Sequence, residues 1–332
     1  MDRLMKSLID SFGVSTKEEN IKDIIKKQIK LMNKEKLLNL DFNEDEMGNI
    51  VVKVGKGTEK LMICTHIDNT GLMVMDIDDR GFLKVIPVGN IDLKNISASF
   101  FKSQEGYIGR MGFLKEDSLK DNLFIDFGIS TKEKVKEKIK EGDFLELIGE
   151  KIQVENKIIG ANIHSRIACY IILKVIENIS IKNLNKEVYF VFSVQKELGF
   201  KGARLAAVNI KPHSAIVLDS MESDDAKEGS YKIALDKGTI MSVFDRSLVI
   251  HNEIKEKIEK ISKKLDLKLQ YSISDGENEG GLIHKEVGGI KTGMIALPCR
   301  YINTSGEMIS LEDVENTISL LNEFIHEGSI EN

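Results

Sequence analysis

The 332-residue sequence has no tryptophan, three prolines and three cysteines, and each shortage removes a class of protein. Without tryptophan, and without an evident pair of acid and nucleophile carboxylates, the chain lacks the parts of a glycoside-cleaving groove. So few prolines among 42% hydrophobic and 30% charged residues exclude a fibrous or disordered chain and describe a globular one large enough for two domains. Cys64, Cys169 and Cys299 lie in apolar surroundings at spacings that match no zinc ribbon, which points to reduced core thiols rather than disulfides or ligands. No apolar run approaches the roughly 18 residues that cross a bilayer. The opening MDRLMKSLIDSF is amphipathic and has no signal-peptide core, so a cytoplasmic location is expected. The 47 basic and 53 acidic residues are well mixed, leaving a net charge of −6 with neither a basic nucleic-acid footprint nor an acidic tail.

The elements that are present alternate. Thr16 and Glu19 have the spacing of a capping box, and Ile21, Ile24, Ile25, Ile29 and Met32 keep a helical period behind them, predicting a surface helix. There follow LLNLD, a turn over residues 46–49, the alternating NIVVKVG, and the apolar run LMICT that delivers His66 and Asp68 at its carboxyl end. From Gly71 to Asn156 the texture changes to short strands (GLMVMDI, FLKVIPV, SASFFKS, GYIGRMGF, FLELIG) with one lysine-rich helix near residues 131–141, which suggests a small β-barrel or sandwich. After Ile158 strands and helices alternate again, through EVYFVFSV, AIVLD, a helix over 250–265, GMIALP and a last helix that Ser310 could cap. The expected fold class is α/β, with residues 1–70 and 157–332 forming one domain and residues 71–156 inserted into it.

Four apolar strands stop at residues able to meet a cation: His66 and Asp68, Lys196 and Glu197, Asp219, and Asn303. Strand carboxyl ends in one sheet can converge on a common crevice, where histidine and carboxylates would suit zinc, cobalt or manganese. Asp68, two residues after His66, could accept its ring N–H. Each has a plainer reading. Asp219 could cap a turn, Glu197 could pair with Lys196 on the surface, and His164 could be a first-turn residue beside a capping Ser165. For His213, His251, His284 and His326 the plainer reading is favoured.

Taken together, THIDNTGLMV, GFLKVIPVGN, LFIDFGISTKEKV, VQKELGFKGA, AIVLD and PCRYIN resemble, in order along nearly the whole chain, the glutamyl and deblocking aminopeptidases of the tetrahedral, self-compartmentalising type. Some of these carry an old endoglucanase label. The resemblance implies a phosphorylase/hydrolase-like α/β metallo-aminopeptidase domain with a mixed central sheet, and an inserted small β-barrel domain used for dimer and dodecamer assembly. It also implies short peptides as substrates and two metals bridged by an aspartate. His66, Glu197 and Asp219 match ligand positions, Asp68 matches the residue that orients the histidine, and Arg166, Arg300 and Tyr301 match their surroundings. Three positions depart from the pattern: His164 replaces the bridging aspartate, Lys196 the glutamate that acts as general base, and Asn303 the last histidine. Aspartate to neutral histidine and glutamate to lysine together add about three units of charge, more than one divalent ion carries. The expectation is at most one divalent metal, zinc or else cobalt or manganese, held by His66, His164 and Asp219, with the second position lost and Lys196 paired to Glu197. Ordinary aminopeptidase activity is then expected to be weak or absent, and the alternative is a non-catalytic homologue that binds peptides or joins an active relative in a mixed oligomer. In the loop SDGENEGGLIHK, Glu277 and Glu279 either select basic amino termini or face water.

Overall fold

Strands that are apolar on both faces need cover on both sides, and the architecture supplies it. The computed structural model describes residues 1–36, 38, 40–113, 123–226, 228 and 232–328. The LLNLD segment lies partly outside them, at Leu37 and Asn39. The chain runs α1 (Arg3–Asp10), α2 (Glu19–Lys36), β1 (Asp41–Glu44), β2 (Ile50–Val54) and β3 (Lys60–His66). A second body follows, with β4 (Gly71–Ile77), β5 (Leu83–Val88), β6 (Phe100–Ser103), β7 (Ile108–Phe113), β8 (Leu123–Asp126), α3 (Lys132–Lys136) and β9 (Phe144–Ile148). The return comprises β10 (Ile152–Val154), β11 (Lys157–Gly160), α4 (Ile163–Asn178), β12 (Glu187–Ser193), α5 (Lys201–Ile210), β13 (Ser214–Glu222) and β14 (Thr239–Phe244). It ends with α6 (Asn252–Lys264), β15 (Leu269–Ile273), α7 (Gly280–Ile283), β16 (Lys291–Cys299), β17 (Glu307–Ser310) and α8 (Leu311–His326).

Eight strands form one mixed sheet in the order β1-β2-β12-β3-β13-β16-β14-β15. Its centre, β12-β3-β13-β16, is parallel, so the carboxyl ends of those four strands open on one edge. Side chains alternate between two cores: Leu61 and Ile63 of β3 pack with α4, while Met62 and Cys64 pack toward α5. The inner helix α4 is buried from Ile163 to Ile176 except at Lys174, in keeping with its apolar sequence. The segment from β4 to β9 closes into a six-stranded antiparallel barrel, β4-β5-β8-β7-β6-β9, filled by Leu72, Val74, Phe101, Met111, Ile125 and Leu145. The cysteines are free and buried, and among the described residues no helix is long and apolar enough to cross a membrane.

Two local expectations change. Thr16 does not cap α2. It adopts a left-handed backbone (φ 75°), and its N–H donates to the Glu18 carboxylate at 2.9 Å. Ser165 does not cap α4 either, since Asn162 holds the cap position and the Ser165 hydroxyl donates to the Asn69 side chain. Ser310 does cap α8, accepting the Glu312 N–H at 3.2 Å.

Candidate metal centre

Register brings the site together. Ser193 at the end of β12 pairs with His66 at the end of β3, and Val217 of β13 pairs with Cys64, so two residues further on Asp219 stands beside His66. The His66 Nε2 and Asp219 Oδ1 atoms are 3.2 Å apart, and both residues are buried. The other ring nitrogen, Nδ1, donates to the main-chain carbonyl of Asp68 at 2.9 Å, while the Asp68 carboxylate is 3.6 Å away. That carboxylate is turned to other work. It accepts the N–H groups of Lys196 and Glu197, each at 3.0 Å, and the Ser15 hydroxyl. Asp68 thus fixes the loop after β12 as well as the histidine after β3.

The Lys196 ammonium lies 2.9 Å from Glu197 Oε1 and 3.7 Å from Asp219 Oδ2. Burial disfavours its charge, but the Asp219 and Glu197 carboxylates prevail and raise its pKa above the ordinary lysine value. Burial and Lys196 likewise resist protonation of His66, yet Asp219 and Asp68 push it up to about 10. Asp219 is held well below the usual carboxylate range despite its burial, by Lys196 and His66. Glu197 packs against Gly89, in the connection after β5, where a Cβ would lie 2.8 Å from its Oε2 and the backbone is left-handed at φ 85°. Glycine is the residue that fits there.

His164, in the first turn of α4, donates Nδ1–H to Glu307 Oε1 at 2.8 Å and its main-chain N–H to Oε2 at 2.9 Å. The N–H of Asn303 donates to the same Oε1 at 2.8 Å. The imidazoles of His66 and His164 have centroids 6.1 Å apart and are tilted at 43° to each other. The Asn303 amide reaches the barrel side, donating to the Asn90 carbonyl at 3.4 Å. Asn162, Gln195, Tyr301 and Asn303 all have positive φ without being glycine, so strained backbone borders the site on three loops. Such strain persists only where surrounding contacts over-determine it.

Arg166 is fully buried and braces the region, donating to the Ile67 and Ser11 carbonyls and lying 3.5 Å from Glu146 of the barrel. Arg300 forms a two-point bond to Asp225, and Tyr301 is exposed. The histidines outside the site have structural partners where bonds are seen: the His213 ring accepts the Lys60 N–H, His284 donates to the Gly280 carbonyl and His326 to that of Asn322.

Three buried carboxylates hold the region in ways the sequence did not show. Glu307 is one. Glu18 is another, accepting the Gln195 N–H at 3.2 Å beside Asp68. Glu279 is the third: it does not face water but is 1% exposed, accepts the Ser193 hydroxyl at 2.6 Å, and is pushed by burial up to about 7. Glu277, two residues before it, is exposed. No local pattern separates them, because each is defined by a partner far away in the chain.

Known proteins share this fold. The family model described as M42 glutamyl aminopeptidase matches residues 48–320. A putative aminopeptidase of Acetivibrio thermocellus is 32% identical, with 97% of each chain covered. An aminopeptidase structure from the archaeon Desulfurococcus kamchatkensis superposes with a TM-score of 0.91 at 29% identity, covering 98% of this chain and 94% of that one. At 24% identity and a TM-score of 0.86, with 98% of each chain covered, the fold also matches a Pyrococcus horikoshii TET1 peptidase described as assembling into a tetrahedron or a large octahedral shell.

Proposed function

This chain belongs to the M42 glutamyl aminopeptidase family, and from that premise we propose that it is a scaffold for the amino termini of short peptides whose two-metal centre has been reduced to one position. The observation that carries the reading is the Lys196 ammonium between Glu197 and Asp219. An ammonium at that place brings one positive charge where a divalent ion would bring two, and occupies the carboxylate that would hold it. It also stands where the family places its general base, and a protonated lysine cannot take a proton from water. The residues around the second position therefore do not fit a metal.

The residues around the first position do. His66 and Asp219 are in contact, the His164 ring lies 6.1 Å from that of His66, and two imidazoles with one carboxylate form a donor set suited to zinc, or to cobalt or manganese. At that spacing the two rings are near enough that both would hold one ion. Bound there, the ion would polarise a carbonyl or lower the pKa of water. The chain's own residues supply the rest: Asp68 holds the Lys196–Glu197 backbone, and Glu197 neutralises the lysine.

Hydrolysis by the family route is then weak or absent, and binding of peptides, alone or as a subunit beside an active relative, becomes the activity to look for. Assembly as a homodimer or a dodecamer is part of the same proposal. The test is elemental analysis of protein purified without chelator and supplied with zinc, run beside turnover of chromogenic aminoacyl substrates with zinc, cobalt or manganese. Close to one zinc per chain, lost in His164→Ala, with negligible turnover is expected. Two metals per chain, or ordinary peptidase rates that vanish in Lys196→Ala, would overturn the reading, and well under one metal per chain would overturn its metal half.

A further inference from the structure

We propose that Glu307 is a positioning residue that makes His164 a donor toward the centre, by fixing the imidazole with its proton on Nδ1 and its Nε2 lone pair on the His66 side. A histidine at the start of a helix has no intrinsic reason to face a ligand, and its neutral ring chooses between two tautomers. Here the choice is made by one buried carboxylate. Glu307 is fully buried on β17, and its two oxygens take the ring Nδ1–H and the main-chain N–H of the same histidine. The residue is thereby gripped at two points, one on the ring and one on the main chain, with Nε2 on the ring edge away from Glu307. The His66 ring lies 6.1 Å away, and the Ser220 hydroxyl, one residue after Asp219, donates to the His164 carbonyl at 2.8 Å, tying α4 to the end of β13. A carboxylate on the far nitrogen is the arrangement that orients metal-binding histidines and raises their basicity. Glu307 Oε1 also takes the N–H of Asn303, so two of the three departures from the family pattern meet at one side chain.

The inference rests on the single-metal reading only for its affinity consequence; the orientation stands in the metal-free protein. It is tested first by nitrogen-15 spectra of the histidine rings in chelator-treated protein, with His164→Ala to assign the signal. A neutral His164 protonated on Nδ1 is expected, and protonation on Nε2 would overturn the proposal without any variant being made. Glu307→Gln, with folding checked by its melting profile, should then shift the ring toward the Nε2-protonated form and weaken zinc binding by about 10- to 100-fold. Zinc affinity unchanged within twofold in Glu307→Gln, while His164→Ala abolishes binding, would overturn the positioning role and leave the metal reading intact. Failure of the wild type to bind zinc, with the Nδ1 tautomer present, would overturn the metal reading and leave Glu307 in its role.

Discussion

The ends of β3 and β12 lie side by side, at the level of the His66–Ser193 pair, yet they treat charge in opposite ways. At the end of β3, both nitrogens of His66 are partnered, Nδ1 by the Asp68 carbonyl and Nε2 by Asp219, so loss of one proton is enough to turn the ring into a donor. At the end of β12, the chain brings its own cation, and Lys196 binds the carboxylate next to it in sequence. A histidine can exchange its proton for an ion from solution, whereas a carboxylate paired with an ammonium on the same chain must first lose that pair, whose breaking inside a protein leaves charges uncompensated. Two neighbouring strand ends on one sheet can therefore carry side chains of the same ligand chemistry and still differ in how readily an ion can enter.

The comparison is broken most strongly by making the two ends alike. His164→Asp, Lys196→Glu and Asn303→His together remove about three units of positive charge and restore a base, so metal content should rise to two per chain. Turnover of aminoacyl substrates should then increase at least about a hundredfold over the parent. Two bound metals with no gain in turnover would show that the scaffold differs elsewhere. The next effect is on stability. Lys196→Met leaves Glu197 and Asp219 facing each other almost buried, with side chains 8% and 9% exposed, and should cost about 3 to 5 kcal/mol in urea unfolding. Added zinc should recover much of that loss. A cost below about 1 kcal/mol, insensitive to zinc, would mean that the lysine behaves as a surface pair and that the two strand ends do not differ as described.

Much of this was legible in advance because it is written locally. His66, Glu197 and Asp219 each follow an apolar strand, and parallel neighbours align their carboxyl ends whatever the loops do. The barrel announced itself through short strands broken by glycine and charge. The failures are all of one kind. Thr16 has the capping spacing, but Glu18 takes its N–H because Glu18 is also needed by Gln195, far along the chain. Ser165 has the capping identity, but its hydroxyl is claimed by Asn69. Glu279 sits in a glycine-rich acidic loop that reads as solvent-facing, and only the packing of α7 on the sheet buries it against Ser193. A side chain whose partner lies across the fold leaves no periodic trace, so polar groups that hold the site were less visible than those that form it.

The smallest effect concerns how the β12 end is held. Glu18 and Asp68 both grip the backbone of residues 195–197 through N–H donors, and burial together with the neighbouring Asp68 charge outweighs those bonds to push Glu18 from 4.5 up to about 7. Its proton is bound more tightly in the folded than in the unfolded chain, so this contribution to stability is complete below about pH 4.5 and is lost as pH rises toward 7. The loss should amount to about 1 to 3 kcal/mol across that window. Glu18→Gln keeps an acceptor for the Thr16 and Gln195 N–H groups while removing the charge, and should flatten the fall in unfolding free energy between those two pH values. If the variant falls as steeply as the wild type, the carboxylate repulsion is not what limits this strand end, and the contrast with β3 rests on Lys196 alone.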